Sequence, residues 1–185
     1  MIDISHPGVQ RVVAVAARKG VALEIRLLPA STHTAEAAAT ALEADLGQMV
    51  TSVVFVAPRP EGRLVAIVCL VSGRNQVDLS NLAAVTGEMA IRQATAVEAH
   101  DLTGYSSGGM PPFGHARDVP IVMDQDLAQY QWVWAAAGTD RAVFRVGPRV
   151  LRTLSNAIVA PLAPASWMRA ATPARFEPRL SFGGG

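Results

Sequence analysis

The chain is poor in several things that would give it away. Its 185 residues hold one cysteine, Cys69, and a single lysine, Lys19, among 16 basic residues. A lone cysteine excludes an intrachain disulfide framework, and a cytosolic protein is the default expectation. The longest unbroken apolar run, Leu64 to Val71, is eight residues, against roughly 20 for a membrane-spanning helix. No basic, then apolar, then small-residue pattern opens the sequence, so no secretory signal is expected. Charge is scarce as well: 17% of residues carry it and the formal net charge is +1. That excludes a broad basic face of the kind that coats nucleic acid, but not a protein that grips a short RNA end.

What is present is apolar mass. Half of the residues are hydrophobic, enough to bury the core of one ordinary domain and incompatible with a disordered chain. Val9, Val12, Val13 and Ala16 share one helical face, and Gly20 follows as a stop. Leu23 to Leu28 alternates weakly, as a strand does. Thr34 is an N-cap for an alanine-rich helix over Ala35 to Leu46, ended by Gly47. Val50 to Ala57 and Leu64 to Val71 read as a hairpin pair around Pro58 to Gly62. A helix over Asp78 to Val85 closes at Gly87, a short strand follows near Met89 to Arg92, and Thr95 to Asp101 is a further helix. Strands are expected at Val119 to Met123, Trp132 to Ala137 and Ala142 to Val146, then a helix from Pro148 to about Asn156. Of Trp132 and Trp134, whichever faces inward belongs to the core. The expectation is a single mixed α/β domain over residues 1–162, with 163–185 a tail that is partly ordered at best.

Several chemistries fail on spacing. Gly104-Tyr105-Ser106-Ser107-Gly108 fits the pattern of a nucleophile elbow, but Pro111 and Pro112 forbid the helix that must follow. No histidine lies beyond His115, so the remaining triad members are missing too. The four histidines show no zinc-site pairing, and neither phosphate-binding glycine pattern occurs. No metal or cofactor is expected.

The loop Thr103 to His115 survives this filter. It packs four glycines and two prolines into 13 residues. Glycines at 108 and 109 let backbone N–H groups converge on an anion or a developing oxyanion. The prolines hold such a shape at low entropic cost.

This loop resembles that of the YbaK/ProX-type aminoacyl-tRNA deacylases, free-standing relatives of the editing domain of bacterial prolyl-tRNA synthetases. The matching residues are Thr103, Gly104 and Tyr105, then Gly108, Gly109, Pro112 and Gly114, then the apolar strand Val119 to Asp124. Thr34-Ala35-Glu36, the segment Val71 to Asp78 and Ala136-Ala137-Gly138-Thr139 add to the likeness, which runs from about residue 23 to 162. One position departs from it. The lysine usual in the family falls on Thr51, and Lys19 lies far away in the first helix.

The resemblance implies a trans-editing deacylase that hydrolyses the ester of a small mischarged amino acid on tRNA. Its partner would be the acceptor end of an aminoacyl-tRNA, with no DNA and no membrane. Thr51, Gly108 and Gly109 would carry catalysis. Thr34, Gly104, Tyr105, Met110, Pro112, Gly114 and His115 would hold the substrate. Strand alternation puts Thr51, Val53 and Phe55 on one face and Ser52 on the other, and the likeness points Thr51 into the pocket. A second reading stays open: with the lysine gone, the chain is a non-catalytic protein that binds a tRNA end or an aminoacyl-adenosine-like ligand.

Overall fold

A computed structural model describes residues 4–29 and 34–165. Most of the expected tail, with Trp167, therefore lies outside the described residues. Among these residues eight strands and five α-helices follow one another in a mixed order.

The centre is a long hairpin of β2 (Met49–Pro58) and β3 (Leu64–Ser72), paired antiparallel from Val50 opposite Ser72 to Pro58 opposite Leu64. Its tight connection needs left-handed backbone at Glu61 and Gly62, with φ of 66° and 73°. The remaining strands are β1 (Ile25–Leu27), β4 (Arg92–Gln93), β5 (Ile121–Asp124), β6 (Val133–Ala136), β7 (Ala142–Val146) and β8 (Ile158–Ala160). They join the hairpin in the order β1-β7-β6-β2-β3-β5-β8, and β4 also pairs with β2.

Helices cover both faces of this sheet. On one face α1 (Pro7–Arg18) buries Val9, Val12 and Ala16 against Val50, Val54, Met110 and Phe113. α4 (Ala96–Thr103) and α5 (Pro148–Ser155) add Ala99, Leu151 and Leu154 to the same core. On the other face, α3 (Leu79–Thr86) packs Leu82 against Phe55, Ile67 and Cys69. α2 (Ala35–Ala41) packs Ala38 and Ala39 against Met49, Trp134 and Val143. Trp134 is thus the inward-facing indole, while Trp132 stays 43% exposed.

Two expectations need correcting. α2 ends at Ala41 instead of reaching Leu46. Glu43 turns left-handed, at a φ of 52°, and Asp45 opens a separate short helical turn by capping Gly47 N–H. The strand β8 was not expected at all. It is three residues long, sits at the sheet's edge and leaves Ile158 60% exposed, so it lacks the alternation that marks a half-buried strand.

Candidate functional site

The site arises where β2 changes partners. On one edge β2 pairs in parallel with β6 only at Met49 and Val50. Further along, the same strand meets β4 only at Phe55 and Val56. Thr51, Ser52 and Val53 lie between these pairings, and there the sheet parts. A cavity of about 160 Å³ fills the gap. Thr34, Ala35 and Ala38 of the α2 region close one side, Thr51 and Ser52 another, and Gly108 and Met110 a third; Thr139 and Asp140 complete the rim.

Local chemistry fixes each wall. Thr34 caps α2, its Oγ1 accepting from Ala37 N–H at 3.1 Å. Thr139 Oγ1 accepts from Ala142 N–H at 3.1 Å, which holds the turn before β7. α4 ends at Gly104, whose φ of 80° continues the chain into the glycine loop. Thr103 stabilises that exit: its hydroxyl donates to Ala99 O at 2.6 Å. Gly108 takes a φ of 91°, a conformation that glycine adopts without steric cost.

The two loop glycines differ in what they offer. Gly109 N–H turns inward and donates to Ser106 O at 3.3 Å. Gly108 is exposed, and its N–H finds no acceptor among the described residues. Of the two amides expected to meet an oxyanion, Gly108 is therefore the one left available.

The other sequence candidates divide among neighbouring places. Gly104, Tyr105 and Gly109 line a larger groove of about 830 Å³ together with His6, Arg11 and His100, and it shares Thr139 and Asp140 with the small cavity. Tyr105 braces that groove: its single hydroxyl proton is donated to Gly114 O at 3.0 Å or shared with Gly8 O at 3.3 Å. Burial raises its pKa, partly opposed by the Arg11 guanidinium 5.6 Å from the ring centroid. Pro112 is buried within the loop. Gly114 and His115 line a third cavity beside Lys19. The ring Nε2 of His115 lies 2.9 Å from Pro111 O, and burial lowers its pKa. His115 thus ties the loop to itself and is not brought to the small cavity.

Lys19 does not replace the lysine missing at Thr51. Its Nζ donates to Thr153 O, Leu154 O and Asn156 Oδ1 at 2.8, 3.0 and 2.8 Å. It therefore serves the C-terminal end of α5.

Strand alternation assigns the two faces here, but it does not decide which residues reach the cavity. Thr51 is exposed on the α2 face, and Ser52 faces the glycine loop with Val50 and Val54. Both nevertheless line the same cavity, because it opens through the gap beside β2. Ser52 was not among the expected site residues. Its Oγ is buried and has no hydrogen-bond partner among the described residues. Nothing in the local sequence marks it, since the orphaned oxygen depends on how β6 leaves β2.

No three described His, Cys, Asp or Glu side chains gather as a metal site requires. No helix among the described residues is long and apolar enough to cross a membrane.

Comparison with known proteins agrees with this architecture. A crystal structure of a proposed trans-editing enzyme for prolyl-tRNA synthetase superposes with a TM-score of 0.77 at 43% identity, covering 86% of this chain and 98% of that one. EbsC of Enterococcus faecalis, named as a proposed Cys-tRNA(Pro)/Cys-tRNA(Cys) deacylase, is 25% identical over 66% of this chain and 73% of its own. YwhH of Bacillus subtilis, an uncharacterised protein, is 29% identical over 68% of this chain and 76% of its own. Residues 29–154 match the aminoacyl-tRNA editing domain, and the chain belongs to that family.

Proposed function

We propose that this protein is a trans-acting aminoacyl-tRNA deacylase that hydrolyses the ester of a small mischarged amino acid. The observation that carries this reading is the small cavity between the open edge of β2 and the glycine loop. At about 160 Å³ it is far smaller than the groove of about 830 Å³ nearby, so it suits a small aminoacyl group. Both Thr51 and Gly108 are exposed beside it, where a tRNA end could deliver its terminal ester.

Such an ester is already activated, so catalysis reduces to position, a placed water and stabilised charge. In this scheme the Gly108 N–H receives the carbonyl oxygen as it becomes an oxyanion. Thr51 donates a neutral hydrogen bond to the ester or the terminal ribose. Met110 and Val50 form the apolar wall against which the amino acid rests. No protein nucleophile is needed. The neutral Thr51 makes the reaction slower than a cation there would, because one preorganised donor is worth on the order of 10²–10³ in rate.

Incubation of the purified protein with a panel of mischarged tRNAs tests the reading. Hydrolysis above the spontaneous rate for at least one small amino acid is expected. Binding of an aminoacyl-adenosine analogue without turnover of any pair would favour the second reading, a non-catalytic binding protein. The absence of a cation among the described residues lining the cavity is the observation on that side.

A further inference from the structure

The α2 helix leaves part of its own sheet face uncovered. β6 and β7 pair with Trp134 opposite Arg145, and β7 and β1 pair with Val143 opposite Arg26. Residues opposite one another, or two apart on one strand, share a face, and the side chains here do meet. Arg26 Cζ lies 5.1 Å from the centre of the Trp134 ring. Arg145 Cζ lies 5.8 Å from that same ring and 5.2 Å from the Trp132 ring. Both arginines are exposed, and so is the Trp132 indole at the end of the row.

Two guanidiniums therefore share one indole. A ring face attracts each cation, but a neutral ring does not cancel their mutual repulsion. Arg59, Arg74 and Arg92 each donate to a carboxylate. Arg26 has only Glu24, at 4.0 Å and with 84% of that side chain exposed, a pairing of little worth in water. Arg145 has no ion pair among the described residues. Stacking fixes the planes of both groups and leaves their N–H edges free. That arrangement suits phosphate oxygens, which guanidinium donors match in geometry and charge. An exposed indole beside them is also a surface on which a base can stack.

The cluster adjoins the small cavity. Trp134 packs with Ala38, Met49 and Val143, and all three of these line the cavity. So does Ala136, which lies about 14 Å along β6 from Trp132 at 3.4 Å per residue. We propose that Arg26, Arg145 and Trp132 form a docking platform for the phosphodiester backbone of a tRNA acceptor arm. This rests on the deacylase reading for the choice of RNA as the polyanion. A platform of two arginines also agrees with a net charge of only +1, because it grips a short stretch of RNA without a broad basic face.

Filter binding of deacylated bulk tRNA over a range of salt concentrations tests the platform. Arg26→Gln and Arg145→Gln should each weaken binding by at least about threefold. Each should also make the salt dependence shallower, by about 0.7–0.9 in the logarithmic slope. Arg145→Lys keeps the charge and should keep the slope. Glu24→Gln should tighten binding by about twofold, a gain that misfolding does not produce. Arg18→Gln, on α1 at the opposite face of the sheet, is the control and should bind as the parent does. Unchanged binding in the double arginine variant, an equal loss in Arg18→Gln, or no gain in Glu24→Gln would overturn the proposal. With a charged tRNA that the parent hydrolyses, the loss in the double variant should fall on KM. Deacylation with an unmoved KM would remove the platform and leave the deacylase reading standing. Arginine-dependent tRNA binding without hydrolysis of any charged tRNA would uphold the platform and remove that reading.

Discussion

Gly109 lies against the backbone of Thr139 so closely that a β-carbon at 109 would stand 2.7 Å from Thr139 Cα. This contact joins the glycine loop to the turn before β7, and both border the small cavity. Real β-carbons do not approach backbone atoms so closely, so an alanine at 109 must push the two segments apart. Gly109→Ala should lower stability by about 1–3 kcal/mol, the usual cost of overpacking. Deacylation should fall with it, since Gly108 N–H moves with the loop. Thermal unfolding and single-turnover hydrolysis measure the two effects.

Lys19 belongs to the fold. Its ammonium meets the last carbonyls of α5, where a positive charge also opposes the helix dipole. Lys19→Met should lower stability by about 1 kcal/mol and leave deacylation, per folded molecule, unchanged. A selective loss of kcat in Lys19→Met would assign this lysine a role in the reaction that its position does not support.

Much of this was legible in the residues. Glycines 104 and 108 and prolines 111 and 112 mark the loop, because only certain residues tolerate its backbone. Thr34, Thr95 and Asp78 mark helix starts, and each side chain does accept an N–H there. The cavity was not legible. It exists because β6 leaves β2 after Val50 and β4 joins it only at Phe55, and such long-range pairing leaves no local trace. The same cause hid Ser52: period-two alternation assigns faces within a continuous sheet, while a gap lets both faces of β2 reach one space. Edge strand β8 escaped notice because its three residues bury only Ala160.

Glu98 closes the capping box of α4 and pairs with Arg92. The Arg92 hydrogen bonds and then the Thr95 N–H lower its pKa from an ordinary 4.5 to about 2. A carboxyl whose folded pKa is depressed adds stability that is present above its unfolded value and lost as pH falls through the folded one. The parent Tm should therefore drop more steeply between about pH 4.5 and 2 than that of Glu98→Gln, with the two curves converging at the acid end. Parallel curves across this window would contradict the assignment.

Cys69 lies at the centre of β3 with no exposed surface, and burial raises its thiol pKa to about 12. The thiolate is the reactive form, so the native protein should not react with a thiol-specific disulfide reagent at pH 8. Addition of denaturant should release one equivalent per chain. Deacylation should survive prolonged exposure to the reagent under native conditions.

The substitution that separates enzyme from binding protein is Thr51→Lys. Thr51 is exposed at the cavity mouth on the α2 face, so a lysine there can keep its ammonium hydrated and still reach the ester or a terminal phosphate. A cation close to developing negative charge favours the transition state over the neutral ground state. The expected gain is at least about tenfold in kcat for the preferred substrate, equivalent to about 1.4 kcal/mol. Ser52→Lys is no longer a neutral comparison, because Ser52 lines the same cavity and its oxygen is buried; that variant should lose binding by placing a charge inside. The charge-matched control is Thr40→Lys, on the exposed side of α2. A gain in Thr51→Lys that Thr40→Lys does not share would show that the rest of the site is built for the ester. If both remain folded by circular dichroism and neither exceeds the parent, the cavity binds without editing.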